Sequence, residues 1–123
     1  MSSLTVALLL VCVALNTIAQ ILLKAGVKTL GTLDLGITQL WRTVWALFLE
    51  RHIFAGLVCY VASVIVWLAV LSRTEVSIAY PMSSLGFVAT AITAWLLFNE
   101  PLTPTRIAGI LVIVAGVFLV ARS

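Results

Sequence analysis

Apolar residues fall along this chain in four long blocks, each closed by a short cluster of charged or turn-forming residues. A helix that crosses the hydrocarbon core of a bilayer needs about 20 predominantly apolar residues. Windows of that kind lie at about 4–24, 53–72, 76–98 and 105–121. The first ends at Lys24, with Gly26 behind it as the expected stop. The second is bracketed by Glu50-Arg51-His52 and Arg73-Thr74-Glu75, and the third ends at Asn99-Glu100-Pro101. The fourth starts behind Thr103-Pro104-Thr105-Arg106, a cap residue followed by proline in the first turn. The first window has no basic residue ahead of its apolar core and no convincing small-residue cleavage site. It is therefore expected to stay as a span rather than be removed as a signal peptide.

Between the first two spans, a short loop over 26–36 gives way to a different pattern. Ile37, Leu40, Trp41, Val44, Trp45 and Phe48 recur at helical spacing, while Thr38, Gln39, Arg42 and Thr43 fall elsewhere on the wheel. Residues 37–49 therefore read as an amphipathic helix, suited by two tryptophans and an arginine to lying flat in the headgroup layer. The plainer alternative is an N-terminal extension of the second span, because Glu50-Arg51-His52 is a weak break. The expected fold is all-α: a polytopic membrane protein whose single domain is a four-helix transmembrane bundle plus this short interfacial helix.

Composition points the same way. Of 123 residues, 63% are hydrophobic and 9% charged, against about 45–50% and about 25% in a soluble domain. A chain this short and this apolar cannot hide its greasy surface in its own core, which excludes a water-soluble enzyme, a disordered regulator and a disulfide-stapled secreted module. The formal charge of +3 comes from seven Lys/Arg against four Asp/Glu. No basic cluster accompanies it, so it bears on loop placement and not on nucleic acid. Lys24, Lys28, Arg42, Arg51 and Arg106 fall on one side of a four-span arrangement, and Arg73 and Arg122 on the other. The excess favours a cytoplasmic first group and both termini outside. It is a modest bias, since Lys24 and Arg51 sit at span edges and Arg42 on the surface helix.

Conventional catalytic and metal signatures are missing from the sequence. Cys12 and Cys59 lie in apolar runs and read as small hydrophobes. His52 is the sole histidine, no grouping has metal-ligand spacing, and no phosphate-binding glycine loop occurs, so neither metal nor other cofactor is expected. Asp34, Glu50, Glu75 and Glu100 all fall in loops or at span ends, which leaves no carboxylate in mid-membrane to carry protons.

The polar residues inside the spans are more informative, because in hydrocarbon they need partners or water. Asn16, Gln20 and Lys24 stand at i, i+4 and i+8 with Thr17 beside them, so they form one polar stripe from mid-membrane to an interface. Such a stripe either lines a path or acts as glue between helices, the lysine snorkelling to the surface. In the third span, Ser77-Ile78-Ala79-Tyr80-Pro81-Met82-Ser83-Ser84-Leu85-Gly86 carries a proline that lacks an amide donor and crowds the Ser77 carbonyl. A hinge at Pro81 beside Tyr80 and Ser84 can line a cavity; alternatively the hydroxyls bond back to their own helix and the bend serves packing. In the fourth span, Gly109 and Gly116, seven apart and flanked by Ala108 and Ala115, form a small-residue face that another helix can approach closely, within the subunit or between subunits.

These residues resemble the small multidrug resistance branch of the drug/metabolite transporter superfamily, whose wider group is EamA-like, over nearly the whole chain. The resemblance rests on the Asn16-x-x-x-Gln20-x-x-x-Lys24 stripe, the Ala79-Tyr80-Pro81 segment, Asn99-Glu100-Pro101 and the seven-spaced glycines. Ala19 to Lys24, Val76 to Leu85 and Glu100-Pro101 are closest to the small subunits of aminoarabinose-phosphoundecaprenol flippases. Drug exporters of the branch carry a proton-exchanging glutamate where this chain has Asn16, and an aromatic where it has Ser83. Both departures point to a polar head group in place of a hydrophobic cation.

The resemblance implies a flippase of the bacterial inner membrane, moving a polyprenyl-phosphate-linked sugar or similar lipid, with no enzymatic activity. Asn16, Gln20, Lys24, Tyr80, Ser83 and Ser84 would contact the head group, and Glu100 would pair with Lys24 or Arg106. Gly109 and Gly116 would form the interface of a homodimer or of a heterodimer with a related small subunit. The alternatives are an exporter of small molecules, cationic drugs or polyamines, and a non-transporting assembly subunit for envelope lipid modification.

Overall fold

A computed structural model describes residues 2–33 and 35–123; Asp34, read as a loop residue, lies outside the described residues. Six helices follow in order: α1 (Ser3–Leu30), α2 (Leu40–Leu49), α3 (Arg51–Leu71), α4 (Val76–Ser83), α5 (Leu85–Phe98) and α6 (Pro104–Arg122). α1, α3, the α4–α5 pair and α6 are each long and apolar enough to cross a membrane, and no strand occurs among the described residues. The chain is an all-α polytopic membrane protein.

Caps set the helix starts. Ser2 Oγ accepts from the Thr5 amide at 3.2 Å, and Thr103 Oγ1 accepts from the Arg106 amide at 3.2 Å ahead of Pro104 in the first turn of α6. α1 does not stop at Gly26. It runs on through Leu30 and ends at Gly31, whose φ of 79° and ψ of −162° are a conformation that glycine alone adopts readily. Gly26 serves a different purpose. A Cβ there would collide with the Ile53 side chain and stand 2.6 Å from Glu50 Oε2, so its bare backbone lets α1 and the start of α3 meet.

That contact ends a longer seam. The buried residues of α1 include Thr5, Cys12, Ala19 and Gly26, seven apart, and those of α3 include Gly56, Ser63 and Val70, also seven apart. Seven-residue spacing keeps small side chains on one helix face. Here it brings the two antiparallel backbones close enough for Cys12 Sγ to donate to the Ser63 carbonyl at 3.4 Å.

The amphipathic segment is a separate helix and not an extension of α3. Glu50 turns extended at ψ 124°, closing α2 and opening α3, and its carboxylate caps α3 by accepting from the Ile53 amide at 2.9 Å. Ile37 to Gln39 form a turn ahead of α2, and Trp41, Trp45 and Phe48 are exposed along it.

The third span breaks one turn after Pro81. The Ser84 amide donates to the Pro81 carbonyl at 3.1 Å and the Phe87 amide to the Ser84 carbonyl at 2.9 Å. These i→i+3 bonds tighten the backbone just beyond Pro81 and interrupt the regular helix there. Leu9, Val70, Ala79, Met82 and Val117 form the core near the end of the bundle that holds both termini. Val117 is the one buried residue of α6, and large apolar side chains such as Leu10, Ile65, Phe118 and Leu119 are exposed on the outer faces. That is the surface lipid tails solvate.

Candidate transport cleft

The seam between α1 and α3 and the break in the third span leave a cavity of about 390 Å³ between them. Asn16 and Gln20 line it from α1; Tyr60, Ser63 and Trp67 from α3; Tyr80, Pro81, Ser83 and Ser84 from the broken span. Each of these residues lies within about two turns of the middle of its span. The cleft is therefore a mid-membrane feature.

Its polar groups are uncharged and are set among apolar side chains such as Val13, Val64 and Phe87. No Asp, Glu, Lys, Arg or His lines it among the described residues. Among the described residues the amides of Asn16 and Gln20 have no hydrogen-bond partner, so they do not act as glue between the helices of this bundle. Next to them, but outside the cleft lining, Thr17 Oγ1 is buried without a partner. The serines behave differently. Ser63 Oγ donates to the Tyr60 carbonyl at 2.6 Å, Ser83 Oγ to the Tyr80 carbonyl and Ser84 Oγ to the Pro81 carbonyl. Their protons are committed to their own helices, and their oxygens retain acceptor lone pairs. Trp67 and Tyr80, both in the lining, pack edge to face, with ring centroids 6.2 Å apart and planes at 69°.

Lys24 is not part of this lining. It follows Gln20 by about 6 Å along α1, and its Nζ lies 3.9 Å from Glu100 Oε2 with both side chains about half exposed. Arg106 takes another partner, donating from Nη1 to the Pro101 carbonyl at 2.7 Å. Glu100, Arg106 and Gly109 border a second cavity of about 420 Å³ between α5 and α6. Gly109 and Gly116 are exposed, with open space where a Cβ would stand.

Sequence reasoning missed the α3 wall. Tyr60, Ser63 and Trp67 stand at i, i+3 and i+7, a helical face that was visible in the sequence but was submerged in an otherwise apolar span.

Apolar spans around a cleft with uncharged polar groups near mid-span define a polytopic α-helical membrane protein, and the family it matches is one of transporters. Residues 37–122 match the EamA-like transporter family. The chain is 40% identical over 119 residues to the probable 4-amino-4-deoxy-L-arabinose-phosphoundecaprenol flippase subunit ArnF of Photorhabdus laumondii, covering 92% of this chain and 93% of that one. It is 33% identical over 115 residues to the corresponding probable subunit ArnE of Pseudomonas fluorescens, covering 94% and 95%. With ArnE of Pseudomonas aeruginosa strain UCBPP-PA14 it shares 37% identity over 119 residues, covering 95% and 96%. No solved structure matches. This chain belongs to the EamA-like transporter family and is a multi-pass protein of the bacterial inner membrane. Its relatives are named as flippase subunits and not as enzymes.

Proposed function

We propose that this chain is one subunit of a flippase that carries a polyprenyl-phosphate-linked amino sugar across the inner membrane. The head group passes through the cleft while the tail stays in the bilayer. The observation that carries this reading is the pair of unspent amides, Asn16 and Gln20, on the wall of an uncharged mid-membrane cleft. A sugar presents hydroxyls that both donate and accept, and an amide side chain answers both. Lys24, nearer the interface, meets the phosphate, exchanging its exposed pairing with Glu100 for a charge-assisted bond to the lipid. Pro81 and the tightened turn at Ser84 form the hinge of the opposing wall.

Four spans offer the cleft only partial walls, since Tyr60 and Tyr80 are exposed at its rim. A second subunit completes it, docking along the α6 face that carries Gly109 and Gly116. The match to proteins named both ArnE and ArnF supports a heteromer of two related small subunits. The chain performs no bond-making chemistry and needs no cofactor. With no carboxylate, histidine or lysine lining the cleft among the described residues, flipping runs downhill, driven by synthesis on one side and consumption on the other.

Reconstitution tests this reading. Vesicles holding the chain with its sister subunit should move a polyprenyl-phosphate amino pentose between leaflets, and Asn16→Leu with Gln20→Leu should stop the movement while both subunits remain folded. Unchanged flipping in the double variant would leave the cleft without a transport role. Proton-coupled efflux of a cationic drug by the native chain would favour the exporter reading instead.

A further inference from the structure

α1 meets its two main neighbours through contacts of opposite character. Toward α3 it presents Thr5, Cys12, Ala19 and Gly26, packed so closely that a Cβ on Gly56 would stand 3.1 Å from the Ala19 carbonyl oxygen. Toward α5 it turns Val13, Lys24 and Lys28, and Thr17 shares that face by helical spacing. Packing on this side is looser. A Cβ on Gly86 would stand 3.9 Å from Val13 Cγ1, an ordinary contact, and Thr17 Oγ1 is buried without a partner. At the far end of α5, Lys24 Nζ stands 3.9 Å from Glu100 Oε2, and Lys28 Nζ stands 4.9 Å from the centre of the Phe98 ring. Asn99, at φ 54°, makes the turn that carries Glu100 back toward α1, and the Glu100 amide donates to the Ala94 carbonyl at 3.4 Å. An exposed ion pair and a single cation–π contact hold weakly, and both yield to a competing anion. Asn16 and Gln20 fall between the two faces of α1, so the α1–α5 line is the wall of the cleft that opens toward the lysines.

We propose that Lys24–Glu100 and Lys28–Phe98 form a latch that holds α5 against α1, and that an anionic lipid head group releases it by drawing Lys24 away from Glu100. This rests on the flippase reading and adds to it the event that opens the cleft. A lipid phosphate at the interface takes the lysine, and Glu100, left beside a second negative charge, is pushed off. The interrupted helix at Pro81 and Ser84 is the pivot. The 14 residues of α5 make an arm of about 21 Å, so a rotation of about 15° moves its far end by about 5 Å. That movement parts α5 from α1 between Gln20 and the interface. Once the phosphate has left, Lys24 and Lys28 find Glu100 and Phe98 again and the wall closes.

Pulsed electron paramagnetic resonance reads the latch in the full chain. Nitroxides are attached through p-acetyl-phenylalanine in place of Thr29 and Leu97, both exposed and neither part of the latch, so that Cys12 and Cys59 stay native. The labelled chain is diluted into unlabelled chain in nanodiscs. Geranyl phosphate should add a population about 5 Å longer, whereas geraniol and equimolar inorganic phosphate should leave the short distance alone. Glu100→Gln combined with Phe98→Leu should show the longer distance with no ligand present. A single unchanged distance in the double variant would overturn the latch. Opening in the double variant that geranyl phosphate cannot produce in the native chain would overturn release by an anion, and equal opening by inorganic phosphate would overturn its assignment to a lipid. Flipping is then measured on the labelled chain in vesicles with its sister subunit. Flipping that persists beside unchanged distances removes the latch and leaves the flippase reading standing; no flipping by the native chain overturns both.

Discussion

Gly56 of α3 lies so close to Ala19 of α1 that a Cβ at position 56 would stand 3.1 Å from the Ala19 carbonyl oxygen. This approach fixes the spacing of the two helices that hold Asn16 and Ser63, and with it the width of the cleft. Gly26 makes a tighter version of the same contact against Glu50 and Ile53. Gly56→Leu and Gly26→Val should therefore destabilise the bundle by about 1–3 kcal/mol, the usual penalty for overpacking a close contact. Thermal unfolding in detergent reads this directly.

The α6 glycines should behave in the opposite manner. Gly109 and Gly116 have open space at the Cβ position, so alanine at either should change the stability of the isolated chain by less than about 0.5 kcal/mol. Gly109→Leu and Gly116→Leu should instead weaken assembly, measured as the dimer fraction by single-molecule photobleaching in bilayers. An unchanged dimer fraction would move the interface away from α6.

Much of this arrangement was legible in the sequence. The spans follow from apolar windows because lipid imposes length and apolarity on a helix, and Pro81 announced the break in the third span. The role of Gly26 was not legible: a glycine behind a lysine is a fair helix stop, and only the arrival of α3 reveals it as a point of contact. The α3 wall was hidden for a related reason. Isolated Tyr, Ser and Trp in an apolar helix acquire meaning only when Asn16 and Gln20 stand opposite. Lys24 continues the polar stripe along α1, yet the end of α5 draws its charge toward Glu100 and away from the cleft.

The Lys24–Glu100 pair separates structure from function. Both side chains are about half exposed at 3.9 Å, so breaking the pair should alter stability by less than about 1 kcal/mol. Lys24→Ala should nonetheless slow translocation at least about tenfold through loss of a charge-assisted bond to phosphate. Glu100→Gln frees the lysine and should leave translocation at or above the native rate. Equal slowing in both variants would assign the pair a structural role.

Glu50 gives the protein an acid limit. A hydrogen bond with His52, Nδ1 to Oε1 at 3.0 Å, is the main influence holding its carboxyl below the usual value of 4.5, helped by the Ile53 and His52 amides and opposed by burial. A carboxyl depressed in the folded state contributes stability that is complete above its unfolded pKa and is lost as pH falls through the folded one. The melting temperature should thus fall as pH drops below about 4.5, and Glu50→Gln should flatten that part of the profile. A native profile that Glu50→Gln leaves unaltered would place the acid sensitivity elsewhere.

The central claim is that a lipid head group occupies the cleft, and the most direct test is the identity of what the cleft retains. Mass spectrometry of lipids released from the native chain, extracted in its own membrane with polymer and not detergent, should find a polyprenyl-phosphate amino sugar enriched over bulk phospholipid. The enrichment should disappear in the Asn16→Leu, Gln20→Leu double variant. Finding only bulk phospholipid in both preparations, in cells that make the amino lipid, would contradict the account.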